Sequence, residues 1–147
     1  LVTASSKRWE GVSEAIRTSM RGNKSKDTKP EMLVRQLLRS AGYGYRLHRS
    51  DLPGKPDIAF IGRRKVIFVH GCFWHQHEGC RRASKPKSRM DYWQPKLERN
   101  QARDIANRDT LVSRGWSVLV VWECEVKEPV LLAKRLRAFL EEQKTPS

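Results

Sequence analysis

Nine residues, Cys72-Phe-Trp-His-Gln-His-Glu-Gly-Cys80, hold two thiols and two imidazoles, and Cys124 supplies the third cysteine of the chain. Zinc favours a closed tetrahedral shell of four such sulfur and nitrogen donors. An odd cysteine count speaks against a disulfide framework. A lone cysteine is ordinarily an inert core residue, so a metal site requires all three cysteines to meet in one locale. Cys72, Cys80 and Cys124 would then share the ion with one histidine. The Cys72–His77–Cys80 spacing leaves room for a loop and favours His77 over His75.

A second chemistry lies within reach of Asp57, Glu31 and His70. Cutting a phosphodiester calls for an oxygen-ligated divalent cation that polarises the phosphate and acidifies a water, and an aspartate with a backbone carbonyl suits Mg2+. Pro56-Asp57 alone is ordinary turn chemistry, and its meaning depends on what lies beside it. Glu31 can serve such a site or simply cap its helix. Phe73 and Trp74 are adjacent large rings in a glycine-flanked loop, where both cannot easily find core. Rings so placed can wedge into a base step or pack as a satellite cluster beneath the loop. Trp93 presents the same two readings.

The elements that must position these groups follow from periodicity and caps. Residues 1–28 read as a basic arm ahead of a single domain over 29–143. Thr28 and Glu31 have capping-box spacing, and Met32, Leu33, Leu37, Leu38 and Ala41 recur at helical intervals up to Gly42, so a helix covers about 29–41. Tyr43 to Leu47 reads as a short strand, and Asp51-Leu-Pro-Gly54 as a turn. Residues 56–61 and 65–70 read as strands joined by a hairpin at Gly62-Arg-Arg64. The segment 91–114 carries Trp93, Leu97 and Ile105 at helical spacing and ends on Gly115, a helix-closing residue type. Trp116 to Trp122 is nearly all apolar, as for a strand buried on both faces, and Val130 to Leu140 gives a last amphipathic helix. The class is therefore α/β, a mixed sheet flanked by helices.

That order creates two juxtapositions. If the hairpin turns about Arg63, paired residue numbers sum to about 126, which sets Asp57 opposite Val69 and beside His70. A crossover through 91–114 makes the last strand parallel to 65–70, so Cys124 emerges beside Cys72.

Thirty Lys and Arg against sixteen Asp and Glu give a net charge of +14, a field that concentrates polyanions. Nucleic acid is the expected partner, and the Arg81-Arg82 and Lys85 to Arg89 stretches suit phosphate. Apolar runs stop far short of the roughly 20 residues needed to cross a bilayer.

At Pro53-Gly-Lys-Pro-Asp57, Val69-His-Gly-Cys-Phe-Trp-His75, Tyr92-Trp93, Asn100 to Asp104 and Val121-Trp-Glu-Cys124, the chain resembles the very-short-patch repair endonucleases. The resemblance implies a restriction-endonuclease-like core with structural zinc and a magnesium-dependent nick 5′ to the thymine of a T:G mismatch. It implies Asp57 and the Val69 carbonyl as Mg2+ ligands, with Glu31 and His70 holding metal-bound waters, and His75 as acid/base oriented by Asp104. Cys72, His77, Cys80 and Cys124 match the zinc ligands. Phe73, Trp74 and Trp93 match rings that enter DNA from the major groove, Met20 matches a residue entering from the minor-groove side, and Lys96 and Asn100 match positions near the mismatched bases. Phe68-Val69-His70 replaces the acidic-X-Lys element of many related nucleases, so histidine must share the work; Val69 stands where threonine is expected, and the His77 to Cys80 interval is one residue longer than expected. The expected partner is duplex DNA bearing a T:G mismatch, bound by a monomer in the bacterial cytoplasm, with repair proteins as further candidates and no membrane. The alternatives are a zinc-stabilised DNA-binding module without catalysis and a nuclease cutting both strands of matched DNA.

Overall fold

A computed structural model describes residues 28–85 and 88–142, so Met20 and nearly all of the basic arm lie outside the described residues. Among the described residues three α-helices, α1 (Lys29–Ser40), α2 (Met90–Ser113) and α3 (Pro129–Glu141), accompany four strands, β1 (Arg46–Leu47), β2 (Ile58–Phe60), β3 (Lys65–His70) and β4 (Ser117–Trp122). The sheet runs in the order β1-β2-β3-β4, antiparallel except for the parallel pair β3 and β4.

The caps act as their chemistry dictates. Thr28 Oγ1 accepts the Glu31 N–H at 3.3 Å to open α1. Gly115, at φ +89°, follows α2, and the Trp116 N–H returns to Leu111 O at 3.0 Å to close its last turn.

Strand alternation splits the core between the two faces of the sheet. Ile58, Phe60, Ile67 and Val121 face α1 and α3, meeting Val34, Leu38, Leu132, Leu136 and Leu140. Ala59, Val66 and Phe68 face the other way and meet Leu111 of α2. His70 continues the Val66, Phe68 alternation and so lies on the α2 side. On α2, Leu97, Asn100, Asp104, Asn107 and Leu111 recur at helical spacing, which turns three polar positions toward the sheet side together with the buried leucines. The loop after β1 must also pass close to this helix. A Cβ at Gly54 would come within 2.9 Å of Asn107, so glycine is required there by contact as well as by its φ of +77°.

Four expectations are corrected. Paired numbers in the hairpin sum to 125, as in Ile58 with Ile67, because the connection is a four-residue turn over 61–64 in which Arg64 takes φ +56°. The ladder, if continued, sets Asp57 opposite Phe68. β4 ends the sheet among the described residues, and apart from Val121 its side chains are only half-buried, since no strand covers its outer edge. The buried stripe of α1 is Glu31, Val34, Arg35 and Leu38, while Met32 is exposed, because a charged pair satisfies itself on the inner face. Ile105 faces solvent at 62% exposure, since α2 turns its polar 100–104–107 stripe inward instead.

Candidate active site and metal centre

The parallel pairing sets His70 beside Trp122, so the chains leaving β3 and β4 emerge together. A tight turn follows β3, with the His75 N–H on Gly71 O at 3.1 Å and the His77 N–H on Cys72 O at 2.9 Å. After β4, Glu125 accepts the Trp122 N–H at 2.9 Å and pairs with Arg135 of α3 at 2.6 Å, which fixes the turn carrying Cys124. Cys72, His77, Cys80 and Cys124 then present donor atoms within 4.8 Å of one another. His77 Nδ1 lies 3.7 Å from Cys72 Sγ and 3.5 Å from Cys124 Sγ. Ligands about 2.3 Å (sulfur) and 2.0–2.1 Å (nitrogen) from a tetrahedral zinc sit roughly 3.6 Å apart, so both His77 distances match a zinc shell and the donor set is of the right kind for one. The His77 ring lies flat on Trp122, with centroids 4.1 Å apart, so its orientation is set by packing. Burial pushes the Cys72 thiol up to about 12, so its thiolate requires a cation beside it. The spacing favours His77 over His75 for this place, and the structure puts His77 among the thiols and His75 elsewhere.

His75 folds back over the end of β3. Its ring stacks on His70, with centroids 3.8 Å apart and planes 5° from parallel, and its Nδ1 lies 2.6 Å from Asp104 Oδ2 on α2. Burial, helped by the charge of neighbouring His75, pulls His70 down to about 3, so it is a neutral imidazole at physiological pH. Its Nδ1 is buried without a hydrogen-bond partner among the described residues. An orphaned buried nitrogen of this kind fits a site that takes up a ligand or water there.

Across β3, the Asp57 carboxylate accepts the Val69 N–H at 2.7 Å. Burial raises the Asp57 carboxyl to about 7, opposed by the Val69 hydrogen bond and reinforced by the charge of Glu31. Such a group is only partly ionised near neutrality, and a cation beside it would favour the ionised form. Glu31, only 1% exposed, pairs with Arg35 and with His48 Nε2 at 2.7 Å. Glu31, His48 and Asp57 form a third cluster of possible ligands.

The aromatic residues are brought together as well. Phe73, Trp74 and Trp93 have centroids 5.3 to 5.8 Å apart, and Tyr92 packs on Trp93 at 5.0 Å. Trp93 is buried at 5% exposure, whereas Phe73 and Trp74 are half-buried. Asn100 Nδ2 donates to Trp74 O at 3.1 Å, and Lys96 Nζ sits over the Tyr92 ring at 5.1 Å.

Three residues escaped the sequence reading. Arg35 was signalled by its i, i+4 spacing from Glu31. Glu123 accepts the Cys72 N–H at 3.3 Å and pairs with Arg82 at 3.7 Å, a link that no spacing announces. His48 sits at φ +46° just past β1, outside any periodic element.

The family described as DNA mismatch endonuclease Vsr matches residues 13–82. A type II nicking enzyme of Xanthomonas oryzae pv. oryzae, V.XorIIP, is 55% identical over 87% of this chain and 93% of its own. V.NmeAIP, a type II nicking enzyme of Neisseria meningitidis, is 43% identical over 82% of this chain and 85% of its own. The DNA mismatch endonuclease Vsr of Escherichia coli is 38% identical over 74% of this chain and 69% of its own.

Proposed function

Because this chain belongs to the Vsr family of DNA mismatch endonucleases, and so is an endonuclease that acts on DNA, we propose that it nicks one strand of duplex DNA 5′ to the thymine of a T:G mismatch, with Mg2+ at Asp57 and a structural zinc at Cys72, His77, Cys80 and Cys124. The core is of the restriction-endonuclease-like kind, in a single domain over 29–143 preceded by the basic arm. The observation that carries the reading is the Asp57 carboxylate lying against the main chain of Val69, one residue before the His70 on which His75 stacks.

In an extended strand the N–H and C=O of one residue point to the same edge. The Val69 N–H points at Asp57, so its carbonyl faces that carboxylate too, and the two oxygens suit a hard cation. The valine side chain at this position is immaterial to a main-chain ligand. When bound, Mg2+ supplies charge to the scissile phosphate and a more acidic water. Glu31 and neutral His70 would hold a water at that position, His70 through its orphaned Nδ1. With Nδ1 engaged by Asp104, His75 has Nε2 to hold or pass a proton at the phosphate. Phe73 and Trp74, backed by Trp93, carry the stacking against bases from the major groove, Lys96 and Asn100 act near the mismatched bases, and the role of Met20 from the minor-groove side rests on the family resemblance alone.

The relatives named as nicking enzymes support one cut per duplex, for which a monomer suffices. The test is strand-resolved cleavage of a T:G duplex and its T:A counterpart with and without Mg2+. We expect one nick, on the thymine strand of the mismatched duplex only. Equal cutting of both duplexes, or double-strand ends, would replace this reading with that of a matched-site nuclease.

A further inference from the structure

We infer that His48 is a positioning residue that holds the two carboxylates of the proposed cation site, Glu31 and Asp57, at a fixed separation; this rests on the assignment of that site above. Glu31 comes from α1 and Asp57 from the head of β2, and His48 meets the carboxylate of the first and the main chain of the second. Its Nε2 is 2.7 Å from Glu31 Oε2, and its backbone N–H donates to Asp57 O at 3.1 Å.

The chemistry fixes the direction of the first bond. Arg35 NH2 lies 3.3 Å from the same Nε2 and can only donate, whereas Glu31 can only accept. The shorter contact therefore makes Nε2–H a donor to Glu31. Arg35 also binds Oε2, so two donors grip one oxygen and set the rotation of the whole carboxylate. Arg35 brings the positive charge that lets two buried carboxylates share a locale, which like charges otherwise resist. His48 brings the link between elements.

The backbone adds a second, independent observation. His48 stands at φ +46°, a conformation that residues bearing a side chain rarely adopt, just where the chain leaves β1. Strained backbone held in place by its surroundings is concentrated at functional sites. Here the left-handed residue keeps its N–H on Asp57 while its ring reaches Glu31. The side chain is 24% exposed and belongs to neither apolar core cluster, so replacing it leaves the packing of those two cores in place.

The test compares His48→Phe, which keeps a ring and drops the donor, with His48→Gln, whose amide N–H can reach the same carboxylate. Single-turnover nicking is measured across a Mg2+ titration on the duplex the wild type nicks, with DNA affinity measured without Mg2+ and melting temperature alongside. We expect His48→Phe to lose about 10- to 100-fold in rate or in apparent Mg2+ affinity, with DNA affinity unchanged, and His48→Gln to recover most of it. A role in packing alone predicts the opposite ranking. His48→Phe nicking at the wild-type rate with unchanged Mg2+ dependence, or His48→Gln as slow as His48→Phe, overturns the assignment. Asp57→Asn in the same assay separates the two levels: undiminished nicking there would sink the site itself, whereas lost nicking with an unaffected His48→Phe sinks the role of His48 alone.

Discussion

The rings of His75 and His70 lie face to face, 3.8 Å between centroids, with Asp104 2.6 Å from the outer one. Stacking fixes the plane of His75 and the carboxylate fixes which nitrogen is engaged, so a flexible side chain on a loop acquires one orientation from two elements, β3 and α2.

His75→Ala is therefore expected to lower the nicking rate about 10²-fold or more, as for a missing acid/base, while mismatch binding persists. Asp104→Asn should also slow nicking, because an amide can hold the wrong tautomer of His75. Single-turnover rates and equilibrium binding, measured separately, decide this. A loss confined to binding would make both residues parts of the DNA surface.

The zinc assignment predicts about one zinc per chain after dialysis. Cys124→Ala should lose it, since Cys124 would be the ligand that ties the turn after β4 to the loop after β3. Asp57→Asn should keep it. Elemental analysis beside a thermal melt is sufficient. Zinc retained in full by Cys124→Ala would mean the ion, if bound, sits elsewhere.

How much of this was legible in the sequence depends on what kind of force set each feature. Gly115 closed α2 as its φ freedom requires, and the parallel crossover alone was enough to bring Cys124 to Cys72. The hairpin register was missed by one because Gly62-Arg63-Arg64 carries no diagnostic turn pair, and Arg64 supplies the left-handed residue without announcing it. Asp57 still reached Val69, since a side chain bonding a main-chain N–H tolerates that offset. His48 was invisible for a different reason. It belongs to no periodic element, and its partners Glu31 and Asp57 lie on either side of it in sequence and are joined to it only by tertiary folding.

The aromatic cluster divides its members by burial. Trp93 is 5% exposed and touches Phe73, Trp74 and Tyr92, so Trp93→Ala should destabilise the fold by about 3–5 kcal/mol. Trp74 is half-buried, and Trp74→Ala should lower affinity for mismatched DNA with a smaller change in stability. Denaturant unfolding and DNA titration of both variants separate the roles. A large affinity loss in Trp93→Ala at unchanged stability would place Trp93 among the rings that enter DNA.

Asp57 links the site to stability through pH. Burial raises its carboxyl from 3.8 to about 7, so between those values the folded chain holds a proton that the unfolded chain has released. Stability from this group is full below about pH 4 and is lost as pH rises through about 7. Asn cannot ionise, so Asp57→Asn should match the wild type near pH 4 and exceed it above pH 7, by on the order of a few kcal/mol in Mg2+-free buffer. His70 acts in the opposite sense, its neutral buried form costing stability as pH falls below 6.5, but it is common to both proteins and cancels in the difference. Adding Mg2+ should stabilise the wild type above pH 7 and leave Asp57→Asn unmoved, because the cation binds the ionised carboxylate. Melts at paired pH values with and without Mg2+ read both effects. If the two proteins differ equally at all pH values, the carboxyl of Asp57 titrates as it would in water, and the dry pocket that prepares it for a cation does not exist.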